Sequence, residues 1–156
     1  MEKRYYTQME AAGNGIVTPE LEIVAAKENR SVKELLPLLA SGKMVIPANI
    51  HHSALSPNGI GRMLKTKINV NLGVSRDCKD YDLEMEKVMR AVSLGAESIM
   101  DLSSHGDTEP FRKKLCEECP AMIGTVPIYD SVIHYKRDLG TLSAKDFIDV
   151  IRLHAE

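Results

Sequence analysis

The sequence predicts an α/β fold in which an N-terminal helical segment precedes three βα units of a parallel sheet. Helix start and stop signals dominate the first 45 residues. From residue 67 on, short apolar runs alternate with amphipathic helical stretches about every 25 to 30 residues, which is typical of right-handed βαβ units with parallel strands. We therefore expect two domains, a helical and loop segment over residues 1–65 and a partial (β/α) barrel over residues 66–156.

The composition is that of an ordinary globular protein with a small-molecule ligand. Of the 156 residues, 44% are hydrophobic and 27% are charged. The 20 basic and 22 acidic residues give a formal net charge of −2 and are spread along the chain, which argues against nucleic acid or an anionic membrane as a partner. No run approaches the roughly 18 apolar residues of a membrane span, and no apolar signal segment follows Met1–Tyr6. We expect a cytoplasmic protein.

Two helices are predicted in the N-terminal segment. The Thr18-Pro19 pair supplies an N-cap and a proline at the first helical position, and this helix should end near Asn29. The segment Ser31–Glu34 has the spacing of a capping box, and Gly42 is a plausible stop for the second helix. Pro37 removes a hydrogen bond inside the second helix, so we expect that helix to be kinked or split.

A long irregular loop is predicted between this helical segment and the first strand of the sheet. A short apolar piece, Met44–Ile46, is followed by a stretch rich in turn-forming residues that extends from Pro47 to Gly61. The segment Asn58–Gly61 requires an unusual backbone conformation. Long irregular segments inside compact domains are more often functional than not, so this loop is a candidate for function.

Three strands and three helices are predicted after residue 66. The strands are Ile68–Leu72, Ser98–Leu102 and Ala121–Val126. The helices are Leu83–Leu94 ending at Gly95, one that starts at Asp107 or Thr108 before Pro110, and one that opens at Ser143 with Asp146 three residues later. The last helix runs into Glu156 without a stop signal, and three parallel strands cannot close an eight-stranded barrel. We expect the first three βα units of a truncated (β/α)8 TIM-type barrel.

Polar side chains follow all three predicted strands. Ligands of α/β folds gather at the carboxyl ends of the strands, and amides, hydroxyls and carboxylates there orient a sugar or a heterocycle by hydrogen bonds. Each residue taken alone is equally well explained by strand-end capping or turn formation, but three consecutive polar ends favour a ligand site. The candidates are Asn69, Asn71 and Gly73 after the first strand, Asp101, Ser103, Ser104 and His105 after the second, and Thr125 and Tyr129 after the third.

The three cysteines argue for reduced thiols rather than a disulfide framework, because their number is odd and no signal peptide precedes them. Cys116 and Cys119 have the spacing of half a zinc site or of a dithiol redox motif. No second pair follows, and the pair falls at the end of a predicted helix. We interpret both as ordinary cysteines at a helix end.

The five histidines offer one candidate for chemistry. Adjacent residues of an extended segment point in opposite directions, so His51 and His52 are interpreted as solvated loop residues rather than as joint metal ligands. His105 follows a predicted strand and is a candidate acid or base. His134 and His154 are interpreted as ordinary surface positions.

Six motifs occur in order over nearly the whole chain. They are Tyr6–Glu10, Gly15–Glu20, Ile46–Asn49, Lys67–Gly73, Met100–Ser103 and Gly124–Tyr129. Together they resemble the successive signatures of the phosphomethylpyrimidine synthase (ThiC) family. Several long motifs at family spacing make this resemblance far more specific than a single glycine pattern.

The resemblance implies a radical S-adenosylmethionine lyase of thiamine biosynthesis that carries a [4Fe–4S] cluster. Such an enzyme rearranges 5-aminoimidazole ribonucleotide into 4-amino-5-hydroxymethyl-2-methylpyrimidine phosphate. The resemblance also implies a homodimer of (β/α)8 barrels, with zinc or another divalent metal as a possible further cofactor. Asn71, Met100 and Tyr129 match family positions that contact the substrate. Each of the three lies at the end of a predicted strand.

No residue of this chain matches a catalytic or metal-binding position of that family. Later strands of the family supply two metal-binding histidines, and its C-terminal tail supplies three cluster cysteines in a Cys-x2-Cys-x4-Cys pattern. Cys116 and Cys119 have no third cysteine four residues further on. We therefore expect the 156 residues to be the N-terminal part of the enzyme, and to be inactive alone.

Two alternative functions stay open at this point. The His51-His52 and Ser104-His105 pairs differ from the residues that are common in the family at these positions. A related branch of the family converts the same ribonucleotide to 5-hydroxybenzimidazole, the lower ligand of cobamides. A different class is a stand-alone binding or regulatory module whose oligomer buries the open edge of the sheet.

Overall fold

The computed structural model describes residues 5–155, which form two units. The first unit lies within Met1–Ala48 and Ser56–Lys67, and the second comprises Asn49–Leu55 and Ile68–Glu156. Met1–Arg4 and Glu156 lie outside the described residues, so the expectations about a signal peptide and about the unterminated last helix remain predictions there. Within residues 5–155, no helix has the length and apolar character needed to cross a membrane.

The first unit is a small helical assembly with one antiparallel strand pair. Its core consists of apolar side chains that the helices and the first strand bury together: Ala12, Leu21, Val24, Ala25, Leu35, Leu39, Met44 and Ile46. The elements are α1 (Gln8–Gly13), α2 (Pro19–Glu28), α3 (Val32–Ala40), β1 (Met44–Val45) and β2 (Ile60–Gly61).

The predicted helix limits of the first unit are confirmed. The Thr18 hydroxyl accepts a hydrogen bond from the Leu21 N–H at 3.2 Å, and Asn29 ends α2 with a left-handed backbone. Both hydrogen bonds of the capping box at Ser31 are present. Of the two expected effects of Pro37, a kink or a split, the split does not occur, because α3 continues through Pro37. Proline costs this helix one backbone hydrogen bond, and the burial of the apolar face of α3 compensates for that loss.

Replacing Ser31 with alanine should weaken α3 by about 1 kcal/mol, because its hydroxyl accepts from the Glu34 N–H and bonds the Glu34 carboxylate. Native-state hydrogen exchange of the α3 amides measures this change. Ser93→Ala is the matched control, since within residues 5–155 the exposed Ser93 hydroxyl bonds only to a carbonyl of its own helix. Unaltered α3 exchange in the Ser31 variant would contradict the prediction.

The loop after β1 ends in a strand that the sequence analysis did not predict. Gly61 pairs with Met44, and Ile60 pairs with Val45, in the antiparallel sense. The expected unusual backbone is confirmed at Gly61, which has φ +139°. A Cβ atom there would lie 2.5 Å from the Lys43 carbonyl oxygen. Two residues are too few to produce an alternating pattern, so this strand has no signal in the sequence.

The second unit is an α/β assembly around a parallel sheet, as predicted. The sheet has three parallel strands, and each strand pairs with the next one along the chain. One helix lies between each two consecutive strands, and two helices follow the last strand. The elements are β3 (Asn69–Leu72), α4 (Tyr81–Ser93), β4 (Ser98–Asp101), α5 (Glu109–Glu118), β5 (Met122–Thr125), α6 (Pro127–Tyr135), a 3-10 turn (Leu139–Thr141) and α7 (Ala144–Ala155).

One face of this sheet packs on helices α4 and α5. Side chains of a strand alternate between the two faces, so Ile99 and Ile123 point to the same face. They join a core with Val88, Phe111 and Leu115 from the two helices. Consequently the opposite face of the sheet carries the residues between them, including Asn71 and Met100.

Helix α6 was missed in the sequence analysis. The region after the third strand lacks a side-chain N-cap, since residue 126 is valine. Pro127 at the first helical position was its available signal, because proline is favoured there. The prediction that Tyr129 lies at a strand end is therefore wrong: Tyr129 lies in the first turn of α6.

Candidate functional site

The strand ends of the second unit form one edge, as predicted. Asn71 is in register with Met100, and Met100 is in register with Gly124. Neighbouring strands lie about 4.8 Å apart, so these three positions are side by side. The same row continues one residue further with Leu72, Asp101 and Thr125.

Asn71 and Met100 share the face of the sheet that is opposite to helices α4 and α5. The side-chain Nδ2 group of Asn69 donates a hydrogen bond to Asn71 Oδ1 at 2.9 Å, which orients the side-chain amide of Asn71. Within residues 5–155 the Asn71 Nδ2 group has no hydrogen-bond partner, so it is available as a donor. The strand ends therefore present an oriented amide to the open face.

Gly124 makes room for the Met100 side chain. A Cβ atom at Gly124 would lie 2.7 Å from the Met100 Cε atom and 2.9 Å from its Sδ atom. The thioether therefore lies over the backbone of β5, on the face that carries Asn71. Gly124 belongs to the motif Gly124–Tyr129, but its role has no local signal in the sequence, because the requirement for glycine arises from a neighbouring strand.

Tyr129 is the third predicted substrate residue, and it lies in the first turn of α6, the helix that follows β5. Its side chain is 45% exposed, and its backbone N–H donates to the Val126 carbonyl at 3.0 Å. Its hydroxyl has no hydrogen-bond partner within residues 5–155. Asn71 and Met100 are thus adjacent, whereas Tyr129 lies in a different element, the first turn of α6.

Asp101 anchors the loop after β4 instead of pointing to open solvent. Its Oδ1 atom accepts from the Ser103 hydroxyl at 2.5 Å and from the Ser103 N–H at 2.9 Å. Burial raises the pKa of Asp101, although the Ser103 hydrogen bonds and the Arg112 charge act in the opposite direction. The Ser103 hydroxyl in turn accepts from the Val74 N–H at 3.2 Å. Asp101 and Ser103 therefore fix the loops that follow β3 and β4.

His105, the predicted acid or base, lies in a cleft of about 660 Å³ beside α6. Its carbonyl accepts a hydrogen bond from the Tyr81 hydroxyl at 3.0 Å, while its ring has no partner within residues 5–155. None of the three predicted substrate residues lines this cleft. Its charged side chains are balanced in sign: Arg76, Arg112 and Lys136 against Asp107, Glu109 and Asp130. No class of charged ligand is favoured there.

A buried polar cluster joins α5, α6, α7 and β5 around Asp130. The Thr108 hydroxyl lies 2.6 and 2.7 Å from the two carboxylate oxygens of Asp130, and Arg112 forms an ion pair with the same group. The His154 ring lies 2.8 Å from Asp130 Oδ2 and 2.9 Å from the Thr125 hydroxyl. The expectation that His154 is an ordinary surface residue is wrong, because its side chain is only 7% exposed.

The electrostatics of this cluster favour a charged Asp130. Burial alone raises the pKa of a carboxyl group, but the hydrogen bonds from His154 and Thr108 and the Arg112 charge outweigh it. The pKa of Asp130 therefore lies below its ordinary value. Asp130 was not predicted as a site residue, because its partners are distant along the chain.

The adjacent histidines of the loop after β1 differ in environment. His51 is exposed, in agreement with the prediction. His52 is buried, and its Nε2 atom lies 2.7 Å from the Cys119 carbonyl oxygen. The expectation that His52 is solvated is therefore wrong. The ring of His52 attaches its loop to the end of α5 within the second unit.

The cysteines of this chain do not fit the [4Fe–4S] cluster that the resemblance implies. A cluster requires three thiolates, whereas burial raises the pKa of both Cys116 and Cys119 and thus favours their neutral thiols. The third cysteine, Cys78, lies 3.9 Å from Glu84 Oε1. Over residues 5–155 no three side chains of His, Cys, Asp or Glu are grouped to hold a metal ion. No chemical step on this chain is assigned to a cluster.

Comparison with known proteins places these features in a family. Residues 7–156 match the model of the "Radical SAM ThiC family". The chain is 55% identical over 152 residues to a phosphomethylpyrimidine synthase of Clostridium botulinum strain Hall, and 56% identical over 153 residues to one of Alkaliphilus oremlandii. These alignments cover 97% and 98% of this chain. The chain spans 35% of the length of each relative.

Proposed function

Because the chain belongs to the radical SAM ThiC family, we propose that it forms the substrate-binding wall of a phosphomethylpyrimidine synthase. The resemblance found in the six sequence motifs is confirmed by the family match. The reaction proposed for the intact enzyme is the conversion of 5-aminoimidazole ribonucleotide into 4-amino-5-hydroxymethyl-2-methylpyrimidine phosphate in thiamine biosynthesis. The relatives named above support the pyrimidine product over a benzimidazole product.

The arrangement of Asn71 beside Met100 carries this proposal. The Asn71 amide is oriented by Asn69 and keeps a free donor on an open sheet face, as recognition of a polar heterocycle or a ribose requires. The Met100 thioether provides an apolar, polarisable surface in the next strand. Tyr129 provides a phenol ring for stacking and a free hydroxyl. These three residues would bind and orient the aminoimidazole ribonucleotide.

The radical chemistry belongs, in this proposal, to parts of the enzyme outside this chain. S-adenosylmethionine and a [4Fe–4S] cluster would supply the radical, and zinc or another divalent metal is a possible further cofactor. The three-stranded parallel sheet is compatible with the first three units of a (β/α)8 barrel. We propose that residues 66–156 belong to this barrel and residues 1–65 precede it, in a cytoplasmic homodimer. The chain alone should be inactive.

An exchange of segments tests the proposed function. In a hybrid enzyme, residues 7–156 replace the aligned segment of the Clostridium botulinum relative. We expect the hybrid to form the pyrimidine phosphate anaerobically from the ribonucleotide, S-adenosylmethionine and a reductant, as detected by mass spectrometry of the products. A folded hybrid that carries its cluster but yields no product would contradict the proposal, and 5-hydroxybenzimidazole as product would support the related branch.

Asn71→Ala in the hybrid should weaken binding of the ribonucleotide by about 1 to 3 kcal/mol, since one buried polar contact is lost. Tyr129→Ala should act in the same direction. Isothermal titration calorimetry measures both affinities. Asn14→Ala is the control, because Asn14 lies in the first unit with an exposed side chain. Unchanged affinity in both the Asn71 and the Tyr129 variants would exclude this binding site.

A further inference from the structure

The segment that carries Tyr129, residues 126–129, is flanked by two residues that both contact the His154 side chain. Val126 joins β5 to α6, and residues 127–129 form the first turn of α6, so Thr125 lies directly before this four-residue segment and Asp130 directly after it. The His154 ring lies between these two flanking residues. Its Nδ1 atom is 2.9 Å from the Thr125 hydroxyl oxygen, and its Nε2 atom is 2.8 Å from Asp130 Oδ2.

The chemistry of Asp130 and Thr125 determines which ring nitrogen of His154 donates a hydrogen bond and which accepts one. A carboxylate accepts hydrogen bonds only, so His154 Nε2 carries the proton and donates it to Asp130. Nδ1 then accepts from the Thr125 hydroxyl in the neutral ring. Both bonds are sheltered from water, because the side chains of His154 and Asp130 are 7% and 9% exposed. A buried pair of this kind restricts its neighbours more than an exposed pair does.

Arg112 of α5 and the residue before that helix, Thr108, also bond to Asp130. The Thr108 hydroxyl lies within 2.7 Å of both carboxylate oxygens, and the Arg112 guanidinium forms an ion pair with the group. The carboxylate is therefore held by contacts that do not involve α7, in addition to its contact with His154. Tyr129, in contrast, has a 45% exposed side chain and no hydroxyl partner within residues 5–155. The position of the Tyr129 ring therefore depends on the position of the first turn of α6.

We infer that His154 is a positioning residue, which holds the first turn of α6 against the end of β5 and thereby sets the location of Tyr129. The consequence for substrate binding rests on the proposed function, in which Tyr129 contacts the ribonucleotide. In this inference His154 acts through Tyr129 and needs no contact with the substrate.

Fluorine NMR of the 156-residue chain tests the positioning without any substrate. With 3-fluorotyrosine at its five tyrosines, Tyr129→Phe identifies the Tyr129 signal. His154→Ala should shift or broaden this signal beyond its line width and leave the Tyr81 signal in place. His154→Gln keeps a donor for Asp130 and should restore much of the signal. His51→Ala, at an exposed histidine of the same unit, is the control and should change nothing.

An unchanged Tyr129 signal in a folded His154→Ala chain would overturn the inference. If that variant loses the signals of the whole unit, Thr125→Val decides instead, because it removes one of the two bonds to the ring with little change of shape. The Tyr129 signal must then move in the valine variant while the Tyr81 signal stays. A valine variant with an unmoved Tyr129 signal also overturns the inference.

A double-mutant cycle in the hybrid enzyme connects this positioning to substrate. His154→Ala should raise the dissociation constant of the ribonucleotide roughly tenfold when Tyr129 is present. It should have little further effect in a Tyr129→Ala background. Equal losses in both backgrounds would mean a general structural role and would overturn the inference. Failure of the unmutated hybrid to bind ribonucleotide would count against the proposed function alone, since the fluorine signals report the positioning separately.

Discussion

Glu28→Ala is expected to destabilise the first unit by about 3 to 5 kcal/mol, because it leaves a buried ammonium group without a counter-charge. The Lys67 Nζ atom lies 2.5 Å from Glu28 Oε1, and the two side chains are only 6% and 4% exposed. The second carboxylate oxygen accepts from the Lys65 N–H at 2.8 Å. The variant therefore loses an ion pair and leaves a backbone donor unpaired.

Removal of both charges should lower the free energy of unfolding of the first unit much less than removal of the Glu28 charge alone. The double variant Glu28→Leu with Lys67→Met replaces the ion pair by apolar side chains of similar size, a change that is often close to neutral. Native-state hydrogen exchange of the α2 amides compares the single and double variants. Glu22→Ala, at an exposed position of the same helix, is the control. A loss below about 1 kcal/mol for Glu28→Ala would show that the pair is solvated.

The same pair should make the first unit sensitive to acid. Burial tends to raise the pKa of Glu28, but the Lys65 N–H bond and the Lys67 ammonium outweigh it and lower the pKa below its ordinary value of 4.5. The folded unit therefore prefers the charged form. Its contribution to stability is complete above pH 4.5 and is lost as the pH falls through the lowered pKa. Glu28→Gln should remove this part of the acid dependence.

Gly73→Ala is expected to destabilise the second unit by roughly 2 to 6 kcal/mol, as backbone strain and steric overlap add. Gly73 has φ +140°, and a Cβ atom there would lie 2.5 Å from the Ser103 nitrogen and 2.8 Å from the Leu102 carbonyl carbon. Both contacts are with backbone, so no flexible side chain can move away. The loops after β3 and β4 would have to separate.

Separation of the loops after β3 and β4 should also disturb the candidate site, since Asn71 lies two residues before Gly73. We expect faster exchange of the Leu102 amide, which donates to the Leu72 carbonyl at 2.7 Å, and weaker ribonucleotide binding in the hybrid enzyme. Gly140→Ala is the matched control, because a Cβ atom there meets nothing within 4 Å. Equal stability of the two alanine variants would contradict the required close approach of the loops.

The elements that could be predicted from the sequence are those whose signals are local. The capping box at Ser31 and the end of α2 at Asn29 depend on residues within one helical turn, and both are confirmed. The alternation of strands and helices placed Asn71 and Met100 at neighbouring strand ends of a parallel sheet. Helix α6 lacked a polar cap and was missed, so Tyr129 was assigned to the wrong kind of element.

The sequence by itself determined the α/β class, the parallel arrangement of the strands and the family, because periodicity, caps and motifs are contained in short segments. Only the tertiary structure decided which polar side chains are buried. His52 meets Cys119 across 67 residues, and Lys67 meets Glu28 across 39. His154 meets Asp130 across 24 residues. Burial of a polar group is favourable only when a partner satisfies it, and the folded chain alone brings such distant partners together.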